Sequence, residues 1–235
     1  MTFAKEAWPF VLPPVLAAGV LLALGHPGWG LGLFVVGLLT LLFFRDPRRS
    51  YAGEPGVVIA AADGLITRID EIDEIDDPEV GPGRHQRIVT FLSVFDVHVQ
   101  KVPVSGTVVV SRYKVGRKVA AFREDAGEIN EKHLTVIRRE NGDLVGVHQI
   151  AGLLARRVVC YLKEGDPVRR GQAMGLIKFG SRVDLVVPAG YRVQVKKGDR
   201  VKNGSTPMAT SGTSAISATS AISEAGKLGA PRGGP

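Results

Sequence analysis

The sequence is poor in several residue types that whole classes of functional site require. It has one cysteine among 235 residues, so an intrachain disulfide and a structural zinc site are excluded. Cys160 lies in an apolar run, which predicts a buried, inert thiol and a reducing compartment. Aromatic residues make up only 6% of the chain, and the scattered basic residues that give a net charge of +7 are not interleaved with them. A nucleic-acid platform of stacked rings is therefore disfavoured, although the charge suits anionic lipid.

Formal charge is missing from one long segment near the N-terminus. No Lys, Arg, Asp or Glu occurs from Ala7 to Phe44, and Gly25-His26-Pro27-Gly28 divides this stretch into two apolar halves. We predict a membrane-associated helical hairpin within residues 1–50, its helices running from about Pro13 to Leu24 and from Trp29 to Phe44. Both are shorter than a hydrocarbon core of about 30 Å, so full spans and shallow insertion both remain open. A buried helical pair of a soluble core is the alternative.

The residues that flank the hairpin predict its orientation. A basic cluster, Arg45-Asp46-Pro47-Arg48-Arg49, follows the second apolar half. By the positive-inside rule it places the following domain on the cytoplasmic side of the cell membrane.

The remainder of the chain predicts a mainly β protein. Short β-branched runs bounded by Gly, Pro and Asp indicate strands from residue 51 to 207, arranged as a β-sandwich or barrel-sandwich-like catalytic domain. Residues 208–235 are rich in Ser, Thr, Ala and Gly without aromatic residues, which predicts a disordered tail. The acidic run 70–79 is interpreted as a solvated loop or strand edge, because nothing fixes a metal-ligand geometry.

One turn motif occurs twice. Gly165–Gly171 and Gly198–Gly204 share the pattern G-D-x-V-x-x-G. Each copy predicts a tight turn, a strand and a second glycine turn. Neither copy has the lysine of a lipoyl or biotinyl acceptor, so a swinging-arm carrier is disfavoured.

Three places could carry chemistry, and each also has an ordinary structural interpretation. Alternation from Phe95 places His98 on a polar strand face, where it could act as a general acid or base or be a simple surface histidine. Asp63, before Gly64, could orient a histidine or simply form a turn. Gly180-Ser181 could be a bend or a self-cleavage site, because glycine allows the serine hydroxyl to fold back on the preceding carbonyl.

Together these segments resemble a known enzyme family. The residues that carry the resemblance are Ala62-Asp63-Gly64, Phe95-Asp96-Val97-His98-Val99 with Pro103, Gln149-Ile150-Ala151-Gly152, Ala155 to Tyr161, and Gly175 to Asp184. With the apolar hairpin, they are similar in order to the short form of phosphatidylserine decarboxylase over roughly residues 1–207.

The resemblance implies a self-processing proenzyme. Ser181 would attack the Gly180 carbonyl, with His98 as its base and Asp63 orienting His98. β-Elimination would then leave a β chain of residues 1–180 and an α chain of residues 181–235, which remain associated and could assemble further. The α chain would start with a pyruvoyl group formed from Ser181.

The resemblance also implies the reaction and its cofactor. The covalent pyruvoyl carbonyl would bind the amine of membrane phosphatidylserine and accept the electrons left when CO2 departs, so neither pyridoxal phosphate nor a metal is needed. The product would be phosphatidylethanolamine, and His98 could protonate the carbanion. Longer members carry a second histidine where this chain has Lys101, which leaves the division of labour at His98 open.

Other functions remain open at this point. The substrate could be another serine phospholipid, such as archaetidylserine. A noncatalytic, membrane-tethered β-barrel adaptor would instead remain one uncleaved chain. Headgroup binding by Arg112, Lys114, Arg117 and Lys118 is weighed against a solvated basic face.

Overall fold

The computed structural model describes residues 1–73, 80–116, 129–152, 157–178 and 181–212. These ranges contain a 3-10 turn at Lys5–Ala7, two α-helices and sixteen mostly short strands. The helices are α1 (Trp8–Ala23) and α2 (Pro27–Phe43). The strands are β1 (Thr2–Phe3), β2 (Arg45–Asp46), β3 (Val57–Ile59), β4 (Gly64–Ile72), β5 (His85–Leu92), β6 (Val99–Lys101), β7 (Gly106–Lys114), β8 (Lys132–Arg138), β9 (Leu144–Ala151), β10 (Val158–Cys160), β11 (Pro167–Val168), β12 (Ala173–Ile177), β13 (Ser181–Pro188), β14 (Arg192–Val193), β15 (Arg200–Val201) and β16 (Pro207–Thr210).

The two helices form the predicted hairpin. The prediction that α1 begins near Pro13 is wrong, because the helix begins at Trp8 and continues through Pro13 and Pro14. The helix continues although its internal prolines lack backbone N–H donors, and it packs along α2. The segment Lys5–Ala23 is long and apolar enough to cross a membrane, whereas Pro27–Phe43 is shorter.

The body of the protein is mainly β, as predicted. An eight-stranded antiparallel sheet has the order β11-β7-β8-β9-β13-β5-β4-β15, and two three-stranded sheets have the orders β10-β12-β6 and β14-β16-β3. The main apolar core includes alternate residues of the central strands, such as Leu185 of β13, Val147 of β9 and Ile88 of β5. This alternation is the period-two pattern of a strand with one face in the core.

The two copies of the repeated turn motif supply the two outermost strands of the eight-stranded sheet. Its first copy supplies the edge strand β11 and its second copy supplies the edge strand β15. Gly165 and Gly198 have φ of +89° and +96°, a region that glycine adopts without steric cost. The following Asp166 and Asp199 carboxylates accept backbone N–H bonds at 2.8 and 2.9 Å. The predicted architecture of the motif is therefore confirmed in both copies.

The last described strand changes the predicted end of the domain. Met208 and Ala209 of β16 are buried, and β16 pairs with β3 and β14. The boundary predicted after residue 207 falls inside this strand, so the folded domain includes Thr210. Residues 213–235 of the predicted tail lie outside the described residues, as do residues 74–79 of the acidic run.

Candidate active site

Most of the candidate residues lie where neighbouring strands of the eight-stranded sheet begin or end. Ser181 begins β13 and pairs with Leu92 at the end of β5 and with Ala151 at the end of β9. Gly64 begins β4 next to the end of β5, and Asp63 precedes it. We call this row of strand ends, defined by Gly64, Leu92, Ala151 and Ser181, the site edge.

Ser181 is held in a fully buried position between two strands. Its residue exposure is 0%, and it lies on the sheet face that Val183 and Leu185 use in the main core. Within the described part of the chain, Ser181 Oγ has no hydrogen-bond partner. Because an unpaired buried hydroxyl is costly, such an atom is a candidate for chemistry. Gly180 lies outside the described residues.

His98 is buried beneath the end of the helical hairpin. The residue is 1% exposed, and the centre of its ring lies 4.1 Å from the centre of the Phe43 ring in α2. The His98 Nδ1 atom is 2.9 Å from the backbone carbonyl of Asp96. Since a carbonyl only accepts hydrogen bonds, Nδ1 carries the proton and Nε2 carries the free lone pair. Among described residues, Nε2 has no partner and can accept a proton.

Burial sets the charge state of His98. It lowers the pKa of His98 from 6.5 to about 4, an effect that the nearby carboxylates of Asp96 and Asp63 oppose and Arg45 reinforces. The imidazole is therefore neutral at physiological pH, as a general base must be.

The segment before His98 differs from the predicted alternating strand. Ser93 and Asp96 form a turn, with both the backbone N–H and the hydroxyl of Ser93 donating to the Asp96 carboxylate at 2.8 and 2.7 Å. Phe95 is 83% exposed, whereas Val97 and His98 are both buried. The expectation that His98 lies on a polar strand face is therefore wrong, because β6 begins only at Val99 and the turn breaks the alternation.

Asp63 is bound by groups other than His98. Arg49 donates to both of its carboxylate oxygens, and the Asn203 backbone N–H donates to Oδ1 at 2.8 Å. The Asn203 side chain in turn donates to the Val99 carbonyl at 2.6 Å, next to His98. In this arrangement Asp63 acts on the His98 ring through its charge, and the Asp96 carbonyl sets the ring orientation.

The first copy of the repeat shows which contact of Asp63 belongs to the turn and which is additional. There, Ser105 precedes Gly106 of β7 as Asp63 precedes Gly64, and its hydroxyl accepts the Arg170 backbone N–H at 3.0 Å. A neutral serine therefore suffices to accept the equivalent turn bond. The Asp63 carboxylate also forms an ion pair with Arg49, which the neutral Ser105 cannot form.

Several residues at the site were not identified from the sequence. Arg49 and Asn203 hold Asp63, Phe43 covers His98, and Asp96 orients it. Arg49 was assigned only to the basic cluster that predicts membrane orientation, and its pairing with Asp63 is a tertiary contact without a local sequence signal. Asn203 lies at a variable position of the repeated motif, where the first copy has Arg170.

Lys101, the residue that stands where longer family members have histidine, is a structural contact here. It is 7% exposed, and its Nζ lies 2.7 Å from Asp46 at the exit of the hairpin. The pair joins β6 to β2. Lys101 is therefore held in an ion pair at the exit of the hairpin.

Two further features of the site concern metals and thiols. Within the described ranges, no group of three or more His, Cys, Asp and Glu side chains could hold a metal ion. Burial raises the pKa of the Cys160 thiol, which disfavours the nucleophilic thiolate.

A family model and known proteins agree on the family to which this chain is similar. A family model described as phosphatidylserine decarboxylase matches residues 36–209. The chain is 42% identical to a protein of Symbiobacterium thermophilum over 205 residues, which cover 86% of this chain and 93% of the relative. It is 42% identical to a protein of Saccharopolyspora erythraea, covering 84% and 85%, and 40% identical to one of Cupriavidus pinatubonensis, covering 88% and 94%. All three are named phosphatidylserine decarboxylase proenzyme.

Proposed function

The chain belongs to the phosphatidylserine decarboxylase family, and we propose that it converts phosphatidylserine to phosphatidylethanolamine after cutting itself between Gly180 and Ser181. It is thus a carboxy-lyase made as a proenzyme. The observation that best supports its chemistry is the pair of buried, unpartnered atoms Ser181 Oγ and His98 Nε2, both within the described residues.

We propose that self-cleavage uses these two atoms. Ser181 Oγ gives its proton to His98 Nε2 and attacks the Gly180 carbonyl carbon. As the ester forms, the peptide C–N bond breaks and the Ser181 amine takes up the proton from His98. Loss of the Ser181 α-proton then expels the Gly180 carboxylate and leaves a dehydroalanine at position 181. Its tautomer takes up one water and releases ammonia, which yields the pyruvoyl group without an added oxidant.

The residues present fit a pyruvoyl group at position 181. Ser181 is buried, lacks a hydrogen-bond partner among described residues and starts a strand fixed on both sides. The group would supply an electron-accepting carbonyl for decarboxylation. The protein would contribute a neutral His98, whose Nε2 can hold a proton for delivery to the substrate carbon, and the hydrophobic cover of Phe43, which excludes water.

The two chains would remain together after cleavage. β13 would belong to the α chain of residues 181–235, yet it pairs along its length with β5 and β9 of the β chain, residues 1–180. Separation would break two strand ladders and expose their apolar faces, so we propose a stable heterodimer. Oligomers beyond it remain a proposal from the sequence.

The hairpin supports a location at the cell membrane. Large apolar side chains along both helices are exposed, among them Leu16, Val20, Trp29, Leu31 and Leu39. This favours contact with lipid over a place in a soluble core. We propose that residues 1–50 are the membrane element, that the catalytic domain follows from residue 51, and that this domain lies on the cytoplasmic side.

The test is a decarboxylation assay on the full chain in lipid–detergent micelles containing phosphatidylserine labelled at the serine carboxyl. We expect release of labelled CO2 by the wild type, none by Ser181→Ala, and slow maturation of His98→Ala. His133→Gln changes another buried histidine and is the control. Release of CO2 by Ser181→Ala at the wild-type rate would contradict the proposal, whereas an uncleaved wild type that releases none would support the adaptor.

The same assay with an ether-linked serine lipid distinguishes the second candidate. Archaetidylserine shares the serine headgroup, so the chemistry at position 181 is the same. A clear preference for the ether lipid would reassign the substrate without altering the mechanism.

A further inference from the structure

Outside the hairpin, the described part of the chain exposes few large apolar side chains. After Phe44, the large hydrophobic side chains exposed among the described residues are Val94, Phe95, Tyr113 and Val115, at 45%, 83%, 46% and 80%. An exposed phenylalanine next to an exposed valine forms an apolar patch of the kind that marks an interaction surface.

All four residues lie at the site edge. Val94 and Phe95 follow the end of β5, whose last residue pairs with Ser181. Tyr113 and Val115 lie at the end of β7. The end of β7 pairs with Lys132 of β8, Lys132 pairs with Ile150, and the next residue of β9 pairs with Ser181. Strand register alone therefore places both apolar pairs at the end of the sheet where β13 begins.

The hairpin is attached at the same end. Arg45, directly after α2, donates to the carbonyls of Leu42 and Phe95 at 2.9 and 2.6 Å. On the other side of the site, the Lys178 ammonium lies 5.2 Å from the ring centre of Phe10 in α1. The exposed Val94-Phe95 pair is thus continuous with the base of the apolar hairpin.

Basic side chains accompany the apolar ones. Lys114 and Lys132 face each other at the site edge, and Lys178 and Arg45 lie beside it. Cations beside exposed apolar side chains match an anionic lipid surface, because the headgroups attract the charges and the interface accepts the apolar groups.

We propose that the site edge is a second membrane-contact surface, on which Val94, Phe95, Tyr113 and Val115 enter the headgroup region of an anionic bilayer. This deepens the proposed function, because contact here brings Ser181 and His98 to the level of the lipid headgroups. The hairpin then anchors the protein, and the site edge fixes the orientation of its catalytic domain.

Depth-dependent quenching tests the orientation directly. In a Cys160→Ser full-length background, a polarity-sensitive fluorophore is attached to Phe95→Cys, Val115→Cys or, as the matched control at the opposite end of the sheet, Asn141→Cys. The proteins are reconstituted in vesicles of phosphatidylcholine and phosphatidylglycerol, with or without lipids that carry a quencher near the headgroup. We expect blue-shifted emission and several-fold stronger quenching at positions 95 and 115 than at 141.

Equal quenching at the three positions would overturn the proposal. A blue shift that depends on protein concentration in detergent, without lipid quenching, would assign the surface to a second copy of the chain and would also overturn it. Decarboxylase activity and chain cleavage are measured on the same preparations. Active, cleaved protein with unquenched labels would refute the surface alone, whereas quenched labels on inactive protein would refute the proposed function alone.

A kinetic variant provides a second readout. Val94→Ser combined with Phe95→Ser should raise KM for phosphatidylserine in vesicles several-fold and leave kcat with a water-soluble, short-chain phosphatidylserine unchanged. Unchanged KM on vesicles would contradict the membrane contact.

Discussion

At the scale of single residues, the site depends on what surrounds His98. Asp96 fixes its protonated nitrogen through a main-chain carbonyl, and burial under Phe43 keeps the ring neutral. A neutral buried base costs stability in acid, because the folded state resists the proton that the unfolded chain accepts. The same property that makes His98 useful therefore has a measurable thermodynamic cost.

The pH dependence of unfolding tests this property. The pKa of His98 is about 4 in the fold against 6.5 ordinarily, so between these values the unfolded chain binds more protons and stability rises with pH. We expect uncleaved Ser181→Ala protein to lose stability as the pH falls through this window, in chemical denaturation followed by circular dichroism. Ser181→Ala with His98→Gln should show a shallower slope, with part remaining because burial also lowers the pKa of His133.

Identical slopes for the two proteins would show that His98 titrates normally in the fold. The uncleaved background is needed because cleavage itself alters stability.

The ion pair of Arg49 and Asp63 gives a second prediction at this scale. The side chains are 20% and 10% exposed, and Asp63 also accepts the Asn203 backbone bond. We expect Arg49→Gln and Asp63→Asn each to slow self-cleavage, and the double variant to be no slower than the worse single one. A coupling of about 0.5–3 kcal/mol is typical of residues in one hydrogen-bond network.

Cleavage time courses by gel electrophoresis measure this coupling, with Arg48→Gln as the neighbouring control. Fully additive effects of Arg49→Gln and Asp63→Asn would show that the two residues act independently.

At the scale of secondary-structure elements, the hairpin is part of the site as well as the proposed membrane anchor. Phe43 and Phe44, at and directly after the end of α2, pack with the buried residues Val97, Val99 and Leu176. The end of α2 thereby forms one wall around His98. Removing that wall should alter both packing and the environment of the base.

A matched pair of substitutions on α2 tests this wall. Phe43→Ala in the uncleaved Ser181→Ala protein should destabilise it by roughly 3 kcal/mol, typical of a buried Phe→Ala change. Water admitted to the site should also raise the pKa of His98 toward 6.5, as followed by NMR titration. Phe34→Ala removes an exposed ring from the same helix and should leave the His98 titration unchanged. A Phe43→Ala protein with an unaltered His98 titration would contradict this role.

The elements also show how far the sequence could predict the structure. The hairpin, the β-rich body and both repeated turns were predictable, because the charge-free segment, β-branched runs and glycine spacing are local signals. Strands β9 and β12 lack this local signal, because polar residues such as His148 and Gln149 interrupt the first and Gly175 interrupts the second. The position of His98 required tertiary information, because Phe43 covers it from far along the chain.

The site could be predicted in part for the same reason. His98, Asp63 and Ser181 followed from a resemblance in ordered motifs, and the register places Asp63 and Ser181 at one edge. The partners of Asp63 could not be inferred, because Arg49 and Asn203 reach it from distant segments. Only the folded chain shows that the hairpin exit and the second repeat meet there.

At the scale of the whole molecule, one polypeptide is proposed to become two interlocked chains on a membrane. The proposed cut precedes β13, the strand at the centre of the eight-stranded sheet. Cleavage there would leave the new N-terminus, at the start of β13, within the core and at the site edge. We therefore expect the fold to tolerate the proposed loss of the peptide bond before Ser181.

The most direct test of this account is the intact mass of the purified full-length protein after denaturation. We expect two species divided between Gly180 and Ser181, the smaller blocked at its N-terminus and lighter than its serine form by the mass difference of a pyruvoyl group. Ser181→Ala should give one full-length mass. A single full-length mass for folded wild-type protein that nevertheless decarboxylates phosphatidylserine would contradict the account.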